Sequence, residues 1–516
     1  MNSQNPTSND QLEREIAKRE LYRKVRSAEK SERQVRLLDT VRREEDVAGV
    51  ADHLRSTTLG IYHRNHCLIR LKQDYSFWNP ENEPTLGRLS VFVHEYFHFI
   101  HNFSTIVGLY DFVVQLRLLR PFCNTVGFDG RSVGSSVLGS EARNEIRGLL
   151  TWRNHLRGGA TRQIADALKR SSAHPSFVGF RHVTRRVRLA AQEIDCRSVL
   201  VAFDGAALGM DSPSVEVVLG SEILMEGCAV EAECMLFARN GVSADEVLRV
   251  IPAYPYRTAR TIFEGIVGAS PSNRFLCSIC LLALHSTDPG DAFIEIAYSC
   301  KSGGKEIDED ALLQRFKANS DEFITNSVRK ILTQTLPLEI APFTERGHAG
   351  RGLAWMLEWC NTLFEERLKD SWFEIAALDS APDLVPLVEL LRTMPVCPVI
   401  QEVNPSGNRE ELLFFSEVEI PREFVDEIGA AQSLLHFSAA HLTTDGDILS
   451  TSSTYPRECF FVNVCQAPLA IERSPICQRS PWESFDSNGR RGCWYAQGVS
   501  AARGRRDEER PVFGRR

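Results

Sequence analysis

The sequence predicts an α+β fold that is predominantly helical, and three observations lead there. Residues from about 85 to 119, 308–333 and 351–373 place apolar side chains at helical spacing over long runs. Short segments at 60–72, 198–203 and 214–219 alternate or are rich in β-branched residues, as strands are. From about 395 the character turns mixed, with Pro395, Pro398, Pro405 and Gly407 around Glu411–Phe415 and Phe460–Val464.

At 516 residues the chain is long enough for two or three domains, and no internal repeat divides it. Hydrophobic and charged fractions of 43% and 25% are those of a water-soluble globular protein. The net charge of −8 and a pI near 6.0 give no global basic field, which argues against nucleic acid as a partner. The longest apolar region, about 89–119, is broken by His, Glu, Asn, Asp and Arg, so no membrane span is expected. The start, Met1–Pro6, carries neither a basic segment nor an apolar one of the secretory type. With 14 scattered cysteines, this places the chain in the cytoplasm with reduced thiols.

Residues 1–55 read as a charged helical arm, with Leu12, Ile16, Leu21, Val25, Val35, Leu38 and Val41 among many Glu, Lys and Arg. A strand follows at 60–72, whose His63, His66 and Cys67 lack a partner motif for a metal. After Asn79-Pro80 and Glu83-Pro84 a helix is expected from Thr85 or Gly87. It contains Val91-Phe92-Val93-His94-Glu95-Tyr96-Phe97-His98-Phe99-Ile100-His101-Asn102, a His-Glu-x-x-His pattern in an almost wholly apolar setting.

Residues four apart on a helix share a face, so His94 and His98 can point one ring nitrogen each at a common ion. Zn²⁺ suits two neutral imidazoles and tetrahedral geometry. Glu95, beside the first ligand, is placed to act as general base toward a water acidified by the metal. Two histidines and a glutamate on a buried helix are costly unless something satisfies them. The competing reading is a pair of core histidines bonded to backbone, with Glu95 paired to an arginine. His101, seven residues after His94, lies about 10.5 Å along the axis, too far to join the same ion on a straight helix. Position 104 is Ser104 and offers no third histidine. His101 is expected behind the site, facing substrate, or in the core.

The middle of the chain is expected to be Gly/Ser-rich at 130–140, helical at 141–156 and 161–171, then basic at Arg181, Arg185, Arg186 and Arg188 on a solvated face. Strands at 198–203 and 214–219 precede Gly220-Ser221-Glu222-Ile223-Leu224-Met225-Glu226-Gly227-Cys228-Ala229-Val230-Glu231-Ala232-Glu233. Ser221 can cap this second helix. Gly227 and Ala229 would let it approach the motif helix, bringing a carboxylate to complete a His₂Glu site.

With both motifs in view, the chain resembles a zincin metallopeptidase of the gluzincin kind. Glu226-Gly227-Cys228-Ala229 is similar to the Glu-Gly-x-Ala element that carries the third ligand in aminopeptidase-like members. The resemblance covers roughly residues 60–300. It implies zinc bound by His94, His98 and Glu226, Glu95 as base, and a protein or peptide substrate. Glu226 follows His98 by 128 positions, more than compact gluzincins use. Glu222, one turn earlier on the same face, is the rival ligand, with Glu231 and Glu233 as further rivals behind it, and the whole cluster also reads as a solvated acidic face. Tyr254, Tyr256 and His285 follow as candidates to stabilise an oxyanion, with packing as the competing role of each.

Cys277-Ser278-Ile279-Cys280 lacks a second pair and reads as buried thiols. Amphipathic helices at 308–333, 351–373 and 383–393 form a helical region. The late Cys459, Cys465, Cys477 and Cys493 match no zinc-knuckle spacing. The organisation expected is an arm (1–55), a zincin-like catalytic domain (56–300) with an insertion at about 125–200, a helical region (301–394), a mixed region (395–500) and a loose tail (501–516). Two other functions fit the same motif: hydrolysis of a non-peptide amide or ester, or a non-catalytic interaction protein contacting partners through its arm. No oligomeric state follows from the sequence.

Overall fold

The computed structural model describes residues 60–71, 86–161, 164, 165, 168, 176–189, 192–205, 214–301, 308–379, 394–404, 409–414, 420–454, 458–462, 464, 465, 475–486 and 493–503. The expected arm, the helix at 383–393 and most of the helix at 161–171 lie outside these residues. The architecture is α+β and mostly helical, as the sequence predicts, with one four-stranded and one three-stranded sheet.

The strand expected over 60–72 is a hairpin. β1 (Gly60–His63) and β2 (Leu68–Leu71) pair antiparallel, Gly60 opposite Leu71, and the turn ends at Cys67 with a φ of 55°. β2 then pairs parallel with β6 (Pro398–Asn404), which pairs antiparallel with β7 (Arg409–Phe414), in the order β1-β2-β6-β7. The mixed late region therefore shares a sheet with the hairpin beside the motif helix.

That helix, α1, spans Leu86–Ser104 and is apolar on nearly every face because it is enclosed. Phe99 and Phe103 pack against Trp359, each at a ring-centroid distance of 5.3 Å. Tyr96 donates its hydroxyl to the Pro395 carbonyl at 3.0 Å, which satisfies a polar atom in the core. α2 (Ile106–Thr125) starts at Thr105, whose side chain accepts from the Gly108 amide, and runs beyond the end expected near Leu119. At Gly108 a β-carbon would fall 2.3 Å from the His101 carbonyl oxygen, so glycine permits α2 to close on the end of α1.

α3 (Ser140–Arg157) matches the helix expected at 141–156. β3 (Phe177–Leu189) and β4 (Gln192–Asp204) make a long ribbon, with β5 (Ser214–Leu219) paired to β4 in a second sheet. The basic run lies on β3, where Arg181 meets Glu216 and Arg186 meets Asp195 on an exposed face.

α4 (Ser221–Arg239) is the expected second motif helix. Its N-cap is Gly220 rather than Ser221, whose hydroxyl accepts instead from Arg64 at 3.1 Å. Gly227 faces away from α1: a β-carbon there would lie 2.9 Å from the Ala259 Cβ and 3.7 Å from the Cys280 Sγ. The small residue thus admits α6 (Thr258–Val267) and α7 (Asn273–Leu284), not the motif helix. α5 (Ala244–Val250) lies between, opened by a capping box at Ser243 and Glu246.

α8 (Pro289–Lys301), α9 (Glu309–Lys330), α10 (Leu336–Ile340), α11 (Gly347–Lys369) and α12 (Phe373–Asp379) form the helical region. α13 (Arg422–His441), the short α14 (Pro475–Arg479) and α15 (Trp494–Ala502) complete the chain. α15 occupies the first two residues of the segment expected as a loose tail. One buried apolar cluster extends from Cys67 to Ala502. None of the 14 cysteines forms a disulfide, the buried Cys277 and Cys280 included. No described helix is long and apolar enough to cross a membrane.

Candidate metal centre

α1 carries His94, Glu95 and His98 at exposures of only 7%, 7% and 8%, in a wall otherwise made of Phe, Val and Ile. α4 lies beside α1 and presents Glu226 to both imidazoles. The Glu226 Oε2 is 3.0 Å from the His94 Nε2 and 3.4 Å from the His98 Nε2. The ligand-type atoms of His94, His98 and Glu226 all lie within 4.8 Å of one another. Two donors about 2.0–2.1 Å from a tetrahedral zinc stand about 3.3–3.4 Å apart. Both Glu226 contacts are close to that separation, so the three residues fit a zinc ion. Among the described residues this is the one group of three metal-ligand side chains gathered so closely; the late cysteines form none.

The other nitrogen of His94 is also held. Its Nδ1 lies 2.5 Å from the Glu233 Oε1. Glu226 and Glu233 are seven residues apart, so they fall about 20° from each other around α4 and stand on one face. The His94 ring lies between them. A carboxylate on the far ring nitrogen fixes the tautomer and leaves Nε2 to face a metal.

Glu95, Glu226 and Glu233 converge on two imidazoles. Burial disfavours charge on His94, yet Glu233 and Glu226 overcome it and raise its pKa well above the usual histidine range. Burial likewise opposes the Glu226 charge, but His98 and His94 hold that carboxyl well below the usual range. His98 is shifted down, chiefly by burial. Three carboxyl groups facing two imidazoles form a donor set suited to a divalent cation. Burial, opposed by His94, pushes Glu95 up to about 8, and the Tyr62 backbone N–H donates to its carboxyl. β1 passes this close because residue 60 is glycine: a β-carbon there would lie 2.7 Å from the Glu95 Cγ. The Tyr62 ring also stacks on His98, 6.5 Å between centroids.

The remaining candidates separate. Tyr256 is brought to the site, its ring edge-on to His94 at 5.9 Å, and burial and the three glutamates raise its hydroxyl pKa. Tyr254 is buried and its hydroxyl accepts from the Ala160 amide at 3.0 Å, which commits one lone pair to structure. His285 is not at the triad. It is buried at the end of α7, its ring nitrogens without hydrogen-bond partners, and its electrostatic neighbours are Arg367, Glu374 and His101. Burial holds it neutral, well below the usual range. Glu222 is exposed one turn from Glu226 and is not part of the triad. Glu231, at 1% exposure, is held by Arg260 at 2.9 and 2.6 Å and serves the core. His101 takes the core role among those open to it: fully buried, it pairs with Glu374 at 3.3 Å.

Sequence reasoning gave Glu233 no part at His94 and Tyr62 no part at all. The seven-residue spacing from Glu226 was the available signal for Glu233. For Tyr62 there was none, since only the tertiary fold lays β1 across α1. No family model matches the chain, and no curated protein or solved structure matches it.

Proposed function

We propose that the chain is a zinc-dependent hydrolase acting on peptide bonds, a zincin of gluzincin-like ligand set. The observation that carries this is the contact of Glu226 Oε2 with the Nε2 atoms of both His94 and His98, from a helix 128 positions away. Zinc held there would supply Lewis acidity toward a water and a carbonyl.

Glu95 does the proton work. Its carboxylate takes a proton from the attacking water and passes it to the leaving amine, while the Tyr62 amide keeps it oriented. Tyr256 is the hydroxyl placed to donate to a developing oxyanion; its high pKa keeps it protonated for that role. Glu233 orients His94. The nearly dry helix wall around the triad strengthens each of these interactions.

The same residues would also serve a non-peptide amide or ester. A mixed peptide library incubated with zinc-loaded chain, read by mass spectrometry, tests the peptide reading. New termini with wild type and none with Glu95→Gln are expected. Cleavage of amide or ester probes with every peptide left intact would overturn it.

A further inference from the structure

About one turn from His98 on α1 and from Glu226 on α4 lies a second polar cluster, centred on Asp111 of α2. Asp111 has no exposed surface. Arg157 binds it through Nε and Nη2, both at 2.7 Å, and Arg153 through Nε at 3.2 Å. Arg64, in the β1–β2 turn, comes within 3.2 Å, and Gln115 donates at 2.9 Å. Among the described residues, three guanidinium groups thus contact one carboxylate. Asn65 accepts from both Arg153 and Arg157 but brings no charge.

The position relative to the triad follows from the contacts of Arg64. It donates to the Asn102 Oδ1 at 3.0 Å and to the Ser221 Oγ at 3.1 Å. Asn102 is four residues after His98, and Ser221 is five before Glu226. At 1.5 Å per residue both lie about 6–8 Å along their helices from the ligands, on the same side. The arginines therefore stand beside the triad at the end marked by Glu222.

This cluster is short of negative charge. Glu222 acts on Arg64 through space, and burial lowers Arg64's pKa. Burial, then the adjacent Arg157, pushes Arg153 down to about 10, a measure of crowded and poorly solvated cations. The Arg64 Nη2 is buried without a hydrogen-bond partner. Yet the side chains of Arg153 and Arg157 keep 11% and 22% of their surface, so the cluster is not sealed. The Arg64 Nη2 is thus a cationic donor left over for an acceptor, and a carboxylate oxygen supplies a charge-assisted one.

We infer that Arg64, Arg153 and Arg157 form a subsite for the C-terminal carboxylate of a peptide substrate. This rests on the hydrolase reading above and names its substrate class: peptides cut near their C-terminal end. An extended chain covers about 3.3 Å per residue, so a carboxylate two or three residues beyond the scissile bond spans the gap. Glu222, on the same rim, disfavours a misplaced second acid.

The test is calorimetric titration of the full chain carrying Glu95→Gln, with and without one equivalent of zinc chloride. The probes are an acetylated apolar pentapeptide as free acid, its C-terminal amide, and an amide with glutamate as its last residue. The free acid is expected to bind at least tenfold more tightly than either amide, and Arg157→Gln to abolish the difference while zinc content is unchanged. Equal affinity of acid and amide, or no binding of either, overturns the subsite, as does a glutamate amide that binds as well as the free acid. The comparison of acid with amides on the chain carrying Glu95→Gln alone stands even if the arginine variant fails to fold. Acid-selective binding by a wild-type chain that cleaves nothing sinks the hydrolase reading alone, whereas cleavage with equal affinity sinks the subsite alone.

Discussion

Glu233 holds the Nδ1 of His94 at 2.5 Å, two helical turns from the Glu226 that meets Nε2 of the same ring. A ligand imidazole gripped in this way is oriented before the ion arrives. Glu233→Gln is therefore expected to weaken zinc affinity about 10–100-fold, the range typical of such partners, with the fold intact. Competition against a chromophoric chelator measures it; unchanged affinity would show that the contact does not tune the ligand.

Glu95→Gln is expected to keep one zinc per chain and to lose hydrolysis by about 10²–10⁴-fold, the usual contribution of a positioned base. Tyr256→Phe is expected to lower kcat with little change in KM, because its hydroxyl would act on charge that develops only during reaction. Steady-state kinetics on one cleaved peptide separates the two. A Tyr256→Phe variant with unaltered kcat assigns the ring to packing against His94.

Gly108→Ala is expected to destabilise the chain although alanine favours helices, because its methyl group would meet backbone oxygens of His101 and Asn102 at 2.3 and 2.6 Å. Overpacking of this kind costs about 1–3 kcal/mol. Denaturant unfolding monitored by circular dichroism provides the check, and a stabilised variant contradicts the close approach of α2 to α1.

Acid should loosen the helical region through Glu374. Burial opposes its charge, but Arg367 and His101 hold its pKa down to about 2. A carboxyl with a depressed folded-state pKa contributes stability above the ordinary carboxylate range near 4.5 and loses it as pH falls toward 2. The contribution is about 3 kcal/mol at neutral pH. Unfolding free energies at pH 6 and pH 3 should therefore converge more in Glu374→Gln than in wild type. A variant with the wild-type slope rules this carboxyl out as a source of acid sensitivity.

The helices of the site were legible because their patterns are local. His94, Glu95 and His98 stand out by spacing within one apolar run, and Glu226 by its face on a second helix. β5 falls where propensity places it, at Ser214–Leu219. What escaped was set by tertiary contact. The residues from 60 to 72 read as one strand, because nothing local marks Cys67 as the end of a tight turn at positive φ. Gly227 was assigned to the wrong neighbour because a helix sequence does not say which partner each face meets. His285 was placed by chain order after the metal helices, but α7 carries it into the core beside Glu374. The Asp111 cluster joins residues from a turn and two distant helices, so no window of sequence contains it.

Elemental analysis of the purified chain, prepared without chelator and exchanged into metal-free buffer after zinc loading, tests the central claim most directly. About one zinc per wild-type chain is expected, falling near zero in His94→Ala, His98→Ala and Glu226→Ala, with circular dichroism unchanged. A wild-type chain that retains no zinc, or a Glu226→Ala chain that retains all of it, would contradict the account.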